Sequence, residues 1–297
     1  MNIIADKWKD YEILDAGDGM KLERWKNVIL SRPDPQVIWK PVKPELWAKA
    51  NAKYNRSKTG GGAWDFCKNM PSKWTIEYDN LKFYIEPTGF KHTGLFPEQA
   101  ANWEWMRQMI SERKAKGKTV KVLNLFGYTG GATVAASSAG AEVCHVDASK
   151  GMVQRARENA ELSGLGGNVI RYIVDDAFKF VAREIRRGNK YDALLMDPPS
   201  YGRGPGGEVW KLEDNLHDFV GECMQLLSDE PLFFLLNSYT TGFSSTVTAN
   251  LIKMHLPKHI SSDEKGHIDH GDVLLPISSM KGTYLPCGSF AAWKADF

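Results

Sequence analysis

The chain has 297 residues, of which 42% are hydrophobic and 25% charged, as is typical of a soluble globular protein. This length allows one large domain or two smaller ones. The 38 lysines and arginines exceed the 36 aspartates and glutamates by two, which excludes a polycation, so nucleic-acid binding would need a local basic patch.

The four cysteines, Cys67, Cys144, Cys223 and Cys287, are scattered, and no two stand at metal-ligand spacing. We therefore expect no metal site, and we expect a reducing compartment. The N-terminal segment lacks the apolar core of a signal peptide. No apolar run approaches the roughly 18–20 residues that a membrane span needs. The sequence predicts a cytoplasmic protein that does not insert into a membrane.

Residues 1–95 contain short apolar runs broken by glycine, proline and aspartate, which predicts a small β-rich domain. From Trp74 to Glu86, apolar and polar residues alternate on both sides of an Asp-Asn pair, which predicts a β-hairpin. The segment Lys49–Trp64 is polar, basic and glycine-rich, and it predicts a mobile loop or linker.

Residues 96–297 alternate strand-like and helix-like segments. The predicted strands are 120–126, 142–147, 169–174, 191–196 and 232–236, and the predicted helices are 131–139, 150–162, 177–187 and 212–227. This order predicts a parallel sheet with helices on both faces. The later segments "DVLLPISS" and "TYLPCGSFAAW" predict two closing antiparallel strands.

A glycine loop, "NLFGYTGG", follows the first of these strands, where ligands bind in such sheets. Glycine lets the backbone approach a ligand closely, although a tight strand-to-helix turn would also use it for structure alone. Asp147 ends the next strand about twenty residues later, at the spacing from which an acid reaches ribose hydroxyls. The loop matches neither the dinucleotide nor the Walker pattern, which favours another adenosine-type ligand.

Two more motifs follow the third and fourth strands. In "DDAF", Asp175 and Asp176 would either accept a hydrogen bond from an exocyclic amine or cap the next helix. In "DPPS", two prolines restrict the backbone and would hold Asp197 in one arrangement. Tyr201 follows, either as a platform for a flat base or as an exposed aromatic in a rigid turn.

In this order, "NLFGYTGGATVAA", "VDAS", "DDAF" and "DPPSYGRG" resemble class I S-adenosylmethionine-dependent methyltransferases. With the upstream segment "TGLFPEQAANW", the chain more closely resembles the bacterial large-subunit ribosomal RNA methyltransferases that make 5-methylcytosine or 7-methylguanine. The resemblance covers roughly residues 88–240 and is more specific for the cofactor than for the substrate. It implies an α/β fold with two parts: a small N-terminal β-rich α+β domain in residues 1–95, and then a Rossmann-like class I methyltransferase sheet in residues 96–297.

The resemblance also implies site residues. Those implied for S-adenosylmethionine are Phe96, Gln99, Asn124, Phe126, Gly127, Tyr128, Thr129, Gly130, Asp147, Ala148, Ser149, Asp176, Ala177 and Asp197. Those implied for catalysis are Asp197, Pro198, Pro199 and Tyr201, and those implied for substrate are Ser200, Tyr201, Arg203, Asn237 and Tyr239. Many methyltransferases carry an acid where this chain has Asn124, which changes how the methionine end is held but not the cofactor.

The acceptor atom is the next question. Methylation at cytosine C5 needs a cysteine that adds at C6, and cytosine-modifying relatives carry it just after the fifth strand. Here that segment reads "NSYTTG", without cysteine, and we expect Cys144 and Cys223 to be core residues. A nitrogen or oxygen acceptor is therefore favoured over cytosine C5.

Basic residues cluster around Tyr54 and again between Arg107 and Lys118. The first cluster holds Lys49, Lys53, Arg56 and Lys58. Such clusters suit single-stranded RNA, but they would equally form a solvated helix face or a linker. The five tryptophans of residues 1–95 after Trp8 would be core residues or a platform for a base.

We therefore expect an S-adenosylmethionine-dependent methyltransferase that acts on a base of ribosomal RNA, at a nitrogen rather than at cytosine C5. Two alternatives stay open: a methyltransferase of a small molecule or protein, and a non-catalytic nucleotide-binding protein such as an NAD-binding module. The target nucleotide, the oligomeric state and the role of residues 1–95 in RNA binding do not follow from the sequence.

Overall fold

The computed structural model describes residues 1–57, 61–89, 91–203, 209–240, 242–261 and 265–296, with Arg203 described through its backbone alone. The strands are β1 (Ile3–Ile4), β2 (Tyr11–Gly17), β3 (Met20–Trp25), β4 (Val28–Pro33), β5 (Ala52–Arg56), β6 (Gly62–Phe66), β7 (Trp74–Tyr78), β8 (Leu81–Ile85), β9 (Lys121–Leu125), β10 (Glu142–Asp147), β11 (Ile170–Val174), β12 (Ala193–Met196), β13 (Tyr201–Arg203), β14 (Val209–Lys211), β15 (Phe233–Ser238), β16 (Gly266–Pro276) and β17 (Tyr284–Ala295).

The helices are α1 (Pro44–Trp47), α2 (Ala100–Ala115), α3 (Gly131–Ser138), α4 (Lys150–Leu162), α5 (Ala177–Arg187), α6 (Leu212–Met224) and α7 (Ser245–His255), with short 3-10 turns at Pro97–Gln99 and Lys258–Ile260. Within the ranges given above, none of these helices combines the length and the apolar character that crossing a bilayer requires.

Two compact units make up the structure. The larger unit contains Met1–Ile3, Asn102–Val273 and Gly288–Phe297, and the smaller unit contains Ile4–Ala101 and Leu274–Cys287. Strands β16 and β17 each contribute residues to both units.

The larger unit is built on an eight-stranded sheet in the order β1-β16-β17-β15-β12-β9-β10-β11. Strands β15, β12, β9, β10 and β11 pair in parallel. Strand β17 runs antiparallel to β15. This topology confirms the predicted Rossmann-like sheet with antiparallel final strands.

Both faces of this sheet are covered, so its central strands are apolar throughout. All four residues of β12 and all six of β15 are buried. One core cluster packs Phe180 of α5 and Phe219 of α6 against Leu194 and Leu236 of the sheet. Parallel strands covered by helices on both faces lose the in-out alternation of an exposed sheet, which is why these segments read as continuous apolar runs.

Helix α2 was not predicted, because its aromatic and charged residues hide the helical period. It also changes the interpretation of the second basic cluster. Arg113 is 9% exposed, and its guanidinium donates to the carbonyl oxygens of Glu230 at 2.9 Å and Pro231 at 3.4 Å. This member of the cluster therefore supports the fold instead of forming a basic surface.

The smaller unit contains a five-stranded sheet, β2-β3-β4-β5-β6, and the hairpin β7-β8. The predicted hairpin is confirmed, with Asp79 and Asn80 between its antiparallel strands. The predicted mobile loop at 49–64 is wrong for the residues that form β5 and β6, since these two strands pair antiparallel there. Ala52 and Tyr54 are buried, so Tyr54 is a core residue and not a stacking platform, whereas Lys58 lies outside the described residues.

A fully buried carboxylate cross-links three strands of the smaller unit. Glu23 on β3 accepts hydrogen bonds from Arg32 on β4, at 2.5 and 2.7 Å, and from the Tyr11 hydroxyl on β2, at 2.6 Å. Burial raises the pKa of Glu23, but the charges of Arg32 and Lys21 and these hydrogen bonds outweigh it and bring the pKa down to about 2. The pair is thus ionised at neutral pH.

We predict that Glu23→Gln lowers the free energy of unfolding by about 3–5 kcal/mol, because it leaves the buried Arg32 charge unpaired. Since the pKa is about 2 in the folded protein against an ordinary 4.5, this stabilisation is complete above about pH 4.5 and is lost as the pH falls through about 2. Urea denaturation at pH 7 and pH 3 measures both effects.

The matched control is Glu12→Gln, which removes the partly exposed ion pair with Arg24 and should change stability by less than about 1 kcal/mol. Equal effects of the two substitutions would contradict the importance of the buried pair.

Candidate active site

The parallel strands of the larger unit end at one edge of the sheet, and nearly all predicted site residues lie there. Each group of predicted site residues ends or follows one strand: Asn124 through Gly130 at β9, Asp147 through Ser149 at β10, Asp176 and Ala177 at β11, Asp197 through Tyr201 at β12, and Asn237 and Tyr239 at β15. Phe96 and Gln99 belong to the smaller unit, so their predicted contact with the cofactor stays a prediction. The Arg203 side chain lies outside the described atoms.

The glycine loop has an unusual backbone. Phe126 and Tyr128 adopt φ angles of 56° and 50°, and Gly130 adopts 82°. A positive φ is uncommon for bulky residues and costs conformational free energy, so it persists only where the surroundings impose it. Two such non-glycine residues in one loop indicate a rigid turn built for close approach of its backbone to a ligand.

The surroundings that impose this turn are visible. The Gly127 amide donates to the carbonyl of Val146 on β10 at 3.0 Å. The Asn159 side chain of α4 donates to the Thr129 carbonyl at 2.9 Å. The loop is thereby fastened both to the neighbouring strand and to the following helix.

Gly127 is required for a second reason, because it lies on the buried ring of His145. A Cβ atom at position 127 would come within 2.4 Å of that imidazole. His145 Nδ1 lies 2.9 Å from the Thr133 hydroxyl, which accepts a hydrogen bond from the Asn124 amide at 2.9 Å. Burial lowers the pKa of His145 to about 4, so the ring is neutral at physiological pH.

This network explains the asparagine at position 124. Its side chain is buried and donates inward to Thr133, so it supports the loop from beneath. The other ring nitrogen of His145, Nε2, is buried and has no hydrogen-bond partner among the described atoms.

Asp147 joins the glycine loop to the end of β10. One carboxylate oxygen accepts the Tyr128 amide at 2.9 Å, and the other accepts the Ser149 amide at 2.8 Å. Burial raises the pKa of Asp147, while these two bonds act to lower it. Because each carboxylate oxygen can accept more than one hydrogen bond, Asp147 can also bind the hydroxyls of a ribose.

The two aspartates after β11 have separate structural roles. Asp176 caps α5, since its Oδ1 accepts the amides of Phe178 at 3.1 Å and Lys179 at 3.0 Å. The Asp175 carboxylate pairs with Arg183 and accepts the Asp176 amide. Helix capping therefore accounts for Asp176 and the ion pair with Arg183 for Asp175. A role for Asp176 beside the adenine stays a prediction that would use its second oxygen.

The "DPPS" segment after β12 is tied down on both sides. The indole of Trp210 donates to the Pro199 carbonyl, and the Leu212 amide donates to the Ser200 carbonyl at 3.1 Å. The Ser200 hydroxyl lies 2.6 Å from the hydroxyl of Thr240, in the loop after β15. Two adjacent strand ends are thus joined side by side at the predicted acceptor position.

Aromatic side chains support this segment from below. Trp210 contacts Phe178 with ring centres 4.7 Å apart, and Phe178 contacts Phe219 at 4.2 Å. Phe126 of the glycine loop joins the same cluster, 6.3 Å from Phe178. By contrast, Tyr201 is 52% exposed, as a residue that stacks on a substrate base would be.

Asn237 is more enclosed than a substrate contact usually is. It is 4% exposed, and its side-chain oxygen accepts a hydrogen bond from Asn102 of α2 at 3.1 Å. Sequence reasoning missed this partner and also His145, Trp210 and Thr240, because each reaches the site from a different element. For His145 and Trp210, their position near the recognised motifs was a signal that could have found them.

The buried cysteines are chemically unsuited to nucleophilic attack. Burial raises the pKa of Cys144 to about 11 and that of Cys223 well above its ordinary value. Both are therefore thiols at neutral pH, and the thiolate is the reactive form. Over the ranges that the structure describes, no three His, Cys, Asp or Glu side chains are grouped so that they could hold a metal ion.

A parallel sheet with a rigid glycine loop after one strand and an acid at the end of the next defines a nucleoside-binding α/β protein. Comparison with known proteins makes the class specific. Residues 54–211 match the family described as S-adenosylmethionine-dependent methyltransferase. A structure of such a methyltransferase from Agrobacterium tumefaciens is 35% identical, with a TM-score of 0.90, over 99% of this chain and 93% of that one.

The chain therefore belongs to the S-adenosylmethionine-dependent methyltransferase family, as its motifs predicted, and S-adenosylmethionine is its cofactor. The glycine loop and Asp147 fit the cofactor, since the loop is a turn fastened to β10 and α4, and each Asp147 oxygen can accept a further hydrogen bond from a ribose hydroxyl. The alternative of a non-catalytic nucleotide-binding protein is wrong.

Two curated relatives are named for ribosomal RNA. Ribosomal RNA large subunit methyltransferase K/L of Shewanella frigidimarina is 34% identical over 236 residues, or 76% of this chain. Ribosomal RNA large subunit methyltransferase I of Aeromonas salmonicida is 35% identical over 127 residues, or 42% of this chain. These matches span only 31% and 30% of the relatives themselves.

We predict that Asp147→Ala weakens S-adenosylmethionine binding at least about ten-fold, which corresponds to about 1.4 kcal/mol. The substitution removes a charged acceptor for the ribose and releases the amide of Tyr128. Calorimetric titration measures the affinity. Glu142→Gln, at the other end of the same strand, is the control and should bind normally.

We also predict that Gly127→Ala weakens cofactor binding and lowers the free energy of unfolding by about 1–3 kcal/mol, because the new methyl group overpacks against His145. Adding His145→Ala should restore part of both losses, and a double-mutant cycle measures that coupling. Gly167→Ala has no atom within 4 Å of its new methyl group and should be neutral. Additive losses in the cycle would contradict the contact.

Proposed function

We propose that this chain transfers a methyl group from S-adenosylmethionine to a nitrogen of a ribosomal RNA base. One observation carries the proposal: the hydroxyls of Ser200 and Thr240 join the ends of β12 and β15, and the segment after β12 carries Asp197 and exposed Tyr201 but no cysteine. The ribosomal RNA methyltransferases among the relatives support the substrate class.

When bound, the cofactor supplies an electron-poor methyl group, and the remaining task of the protein is positioning. Asp147 would hold the ribose, and the rigid loop at Gly127 would receive the methionine part. Ala148, Ser149 and Ala177 would contact the adenine. Because hydrogen bonds to β10 and α4 already hold the loop, little conformational entropy would be lost when the cofactor binds.

Asp197 is the residue that we propose acts on the acceptor. It is half-buried, directly after β12, and the two prolines that follow restrict its backbone. Its carboxylate would accept a hydrogen bond from an N–H group of the base, aim the nitrogen lone pair at the methyl group and take up a proton if one is released. Tyr201 would stack on the same base, and Arg203 would contact the RNA backbone.

Cytosine C5 is disfavoured as the acceptor because it needs a nucleophilic thiolate. Residues 237–240 carry no cysteine, and the thiols of Cys144 and Cys223 are buried with raised pKa values. A nitrogen acceptor needs only orientation and a hydrogen-bond acceptor, which Asp197 provides.

The test has two arms. Ribosomal RNA that lacks the modification is incubated with the protein and S-adenosylmethionine, and the methylated nucleoside is identified by mass spectrometry. We expect an N-methylated base and a loss of turnover of at least about 100-fold for Asp197→Ala, within the usual contribution of general acid–base catalysis. S-adenosylmethionine affinity measured in parallel separates loss of catalysis from loss of binding.

In the second arm, a variant with all four cysteines replaced by alanine is assayed. It should retain methyl transfer, and RNA that contains 5-fluorocytosine should form no covalent complex with the unmodified chain. Formation of 5-methylcytosine, or of a trapped complex, would overturn the nitrogen acceptor. Methylation of a small molecule or a protein, with none of RNA, would overturn the RNA substrate.

We further propose that residues 96–297 carry out methyl transfer and that residues 1–95 contact the RNA. A cytoplasmic location would follow from a ribosomal substrate and stays a prediction.

A further inference from the structure

A loop of the smaller unit carries Lys91 and His92 to the side of its five-stranded sheet. The guanidinium of Arg32 on β4 donates to the Lys91 carbonyl at 2.9 Å. The indole of Trp64 on β6 donates to the Thr88 carbonyl at 2.9 Å, and the Thr88 hydroxyl donates to the His92 carbonyl at 2.8 Å. These three bonds fix the loop, and with it the backbone of Lys91, against the sheet.

Positive charge is crowded at this place. Burial lowers the pKa of the half-buried Lys91, and the charges of Lys21, Arg56 and Arg32 lower it further. Burial and the same group of cations lower the pKa of His92 to about 4. Four cationic side chains, which we call the Lys91 cluster (Lys21, Arg32, Arg56 and Lys91), therefore lie within electrostatic reach of one another.

Two nearby carboxylates, Glu23 and Asp34, form their ion pairs with other members of the cluster. Glu23 forms its two-bond contact with Arg32 and lies 3.7 Å from the Lys21 ammonium. Asp34 lies 3.5 Å from the same ammonium. Among the described residues, no side chain forms an ion pair or hydrogen bond with the ammonium of Lys91 or the guanidinium of Arg56.

Asp34 opposes this repulsion by raising the pKa of Lys91, but its ion pair is with Lys21. A half-buried ammonium whose charged form is disfavoured by burial and by three like-charged neighbours is unfavourable for folding. Local features that oppose stability are expected at functional sites, where they are offset by a ligand. The ligand that offsets crowded cations is an anion. A guanidinium matches two oxygens of a phosphate, and an ammonium adds a point charge that needs no fixed geometry.

We propose that Lys91 and Arg56, flanked by Lys21, bind a backbone phosphate of the substrate RNA. This site rests on the proposed RNA substrate and adds a named phosphate contact to it. Arg56 ends β5 with its side chain exposed, where a phosphate can reach it.

The experiment measures binding of a fluorescent single-stranded ribosomal RNA fragment to the full chain by anisotropy, over a series of salt concentrations. Each phosphate contact to a single strand contributes about 0.7 to the slope of log affinity against log salt. Lys91→Gln and Arg56→Gln should each weaken binding severalfold and reduce the slope by about 0.7.

Lys40→Gln is the matched control, because it removes one lysine charge from the same unit at a residue 87% exposed and paired with Asp18. Its slope should stay that of the unmodified chain. A second readout separates binding from a structural role: Lys91→Gln should keep or raise the Tm at low salt, since it relieves repulsion between like charges.

The outcomes are distinguishable. If the unmodified chain binds RNA, and Lys91→Gln and Arg56→Gln bind with unchanged slope, the phosphate site is wrong while the proposed function stands. If the unmodified chain binds no RNA, the proposed function fails and the phosphate site fails with it. If the substitutions abolish binding of inorganic phosphate but leave RNA binding unchanged, the cluster takes a free anion and the inference is overturned.

Discussion

The site depends on one steric constraint, the contact between the backbone of Gly127 and the buried ring of His145. The ring fills the space in which a side chain at position 127 would lie, so the loop can close over β10 only as glycine. His145 is in turn oriented by Thr133 and Asn124, which belong to α3 and β9. A shift of α3 or β9 would therefore move the glycine loop.

The predicted acceptor side, formed by the segments after β12 and β15, is organised differently, by hydrogen bonds between loops. Strands β12 and β15 run in parallel, so the segments that follow them emerge together, and the hydroxyls of Ser200 and Thr240 join them. Trp210 closes the arrangement by holding Pro199 from the next strand pair. The glycine loop is thus shaped by close packing, and the predicted acceptor side by hydrogen bonds between loops.

Much of the sheet could be predicted because both of its faces are covered and its strands read as apolar runs between glycine and proline motifs. The helices at 150–162 and 177–187 begin at the predicted residues because Ser149 and Asp176 cap them. What could not be predicted depends on tertiary contacts. The aromatic residues of α2 mask its period, Ala52 and Tyr54 are buried inside a segment of polar composition, and His145 meets Gly127 only after two strands have paired.

The smaller unit is discontinuous in the chain, and this has a consequence for how it is made. Residues Leu274–Cys287 belong to it, where Ser278 donates its amide to Ile13 and the Ser279 hydroxyl donates to Asp15. A ribosome synthesises the chain from its N-terminus at about 5–20 residues per second, and domains generally fold as units. The smaller unit therefore waits for nearly the whole chain to be synthesised, and no single cut in the polypeptide separates the two units intact.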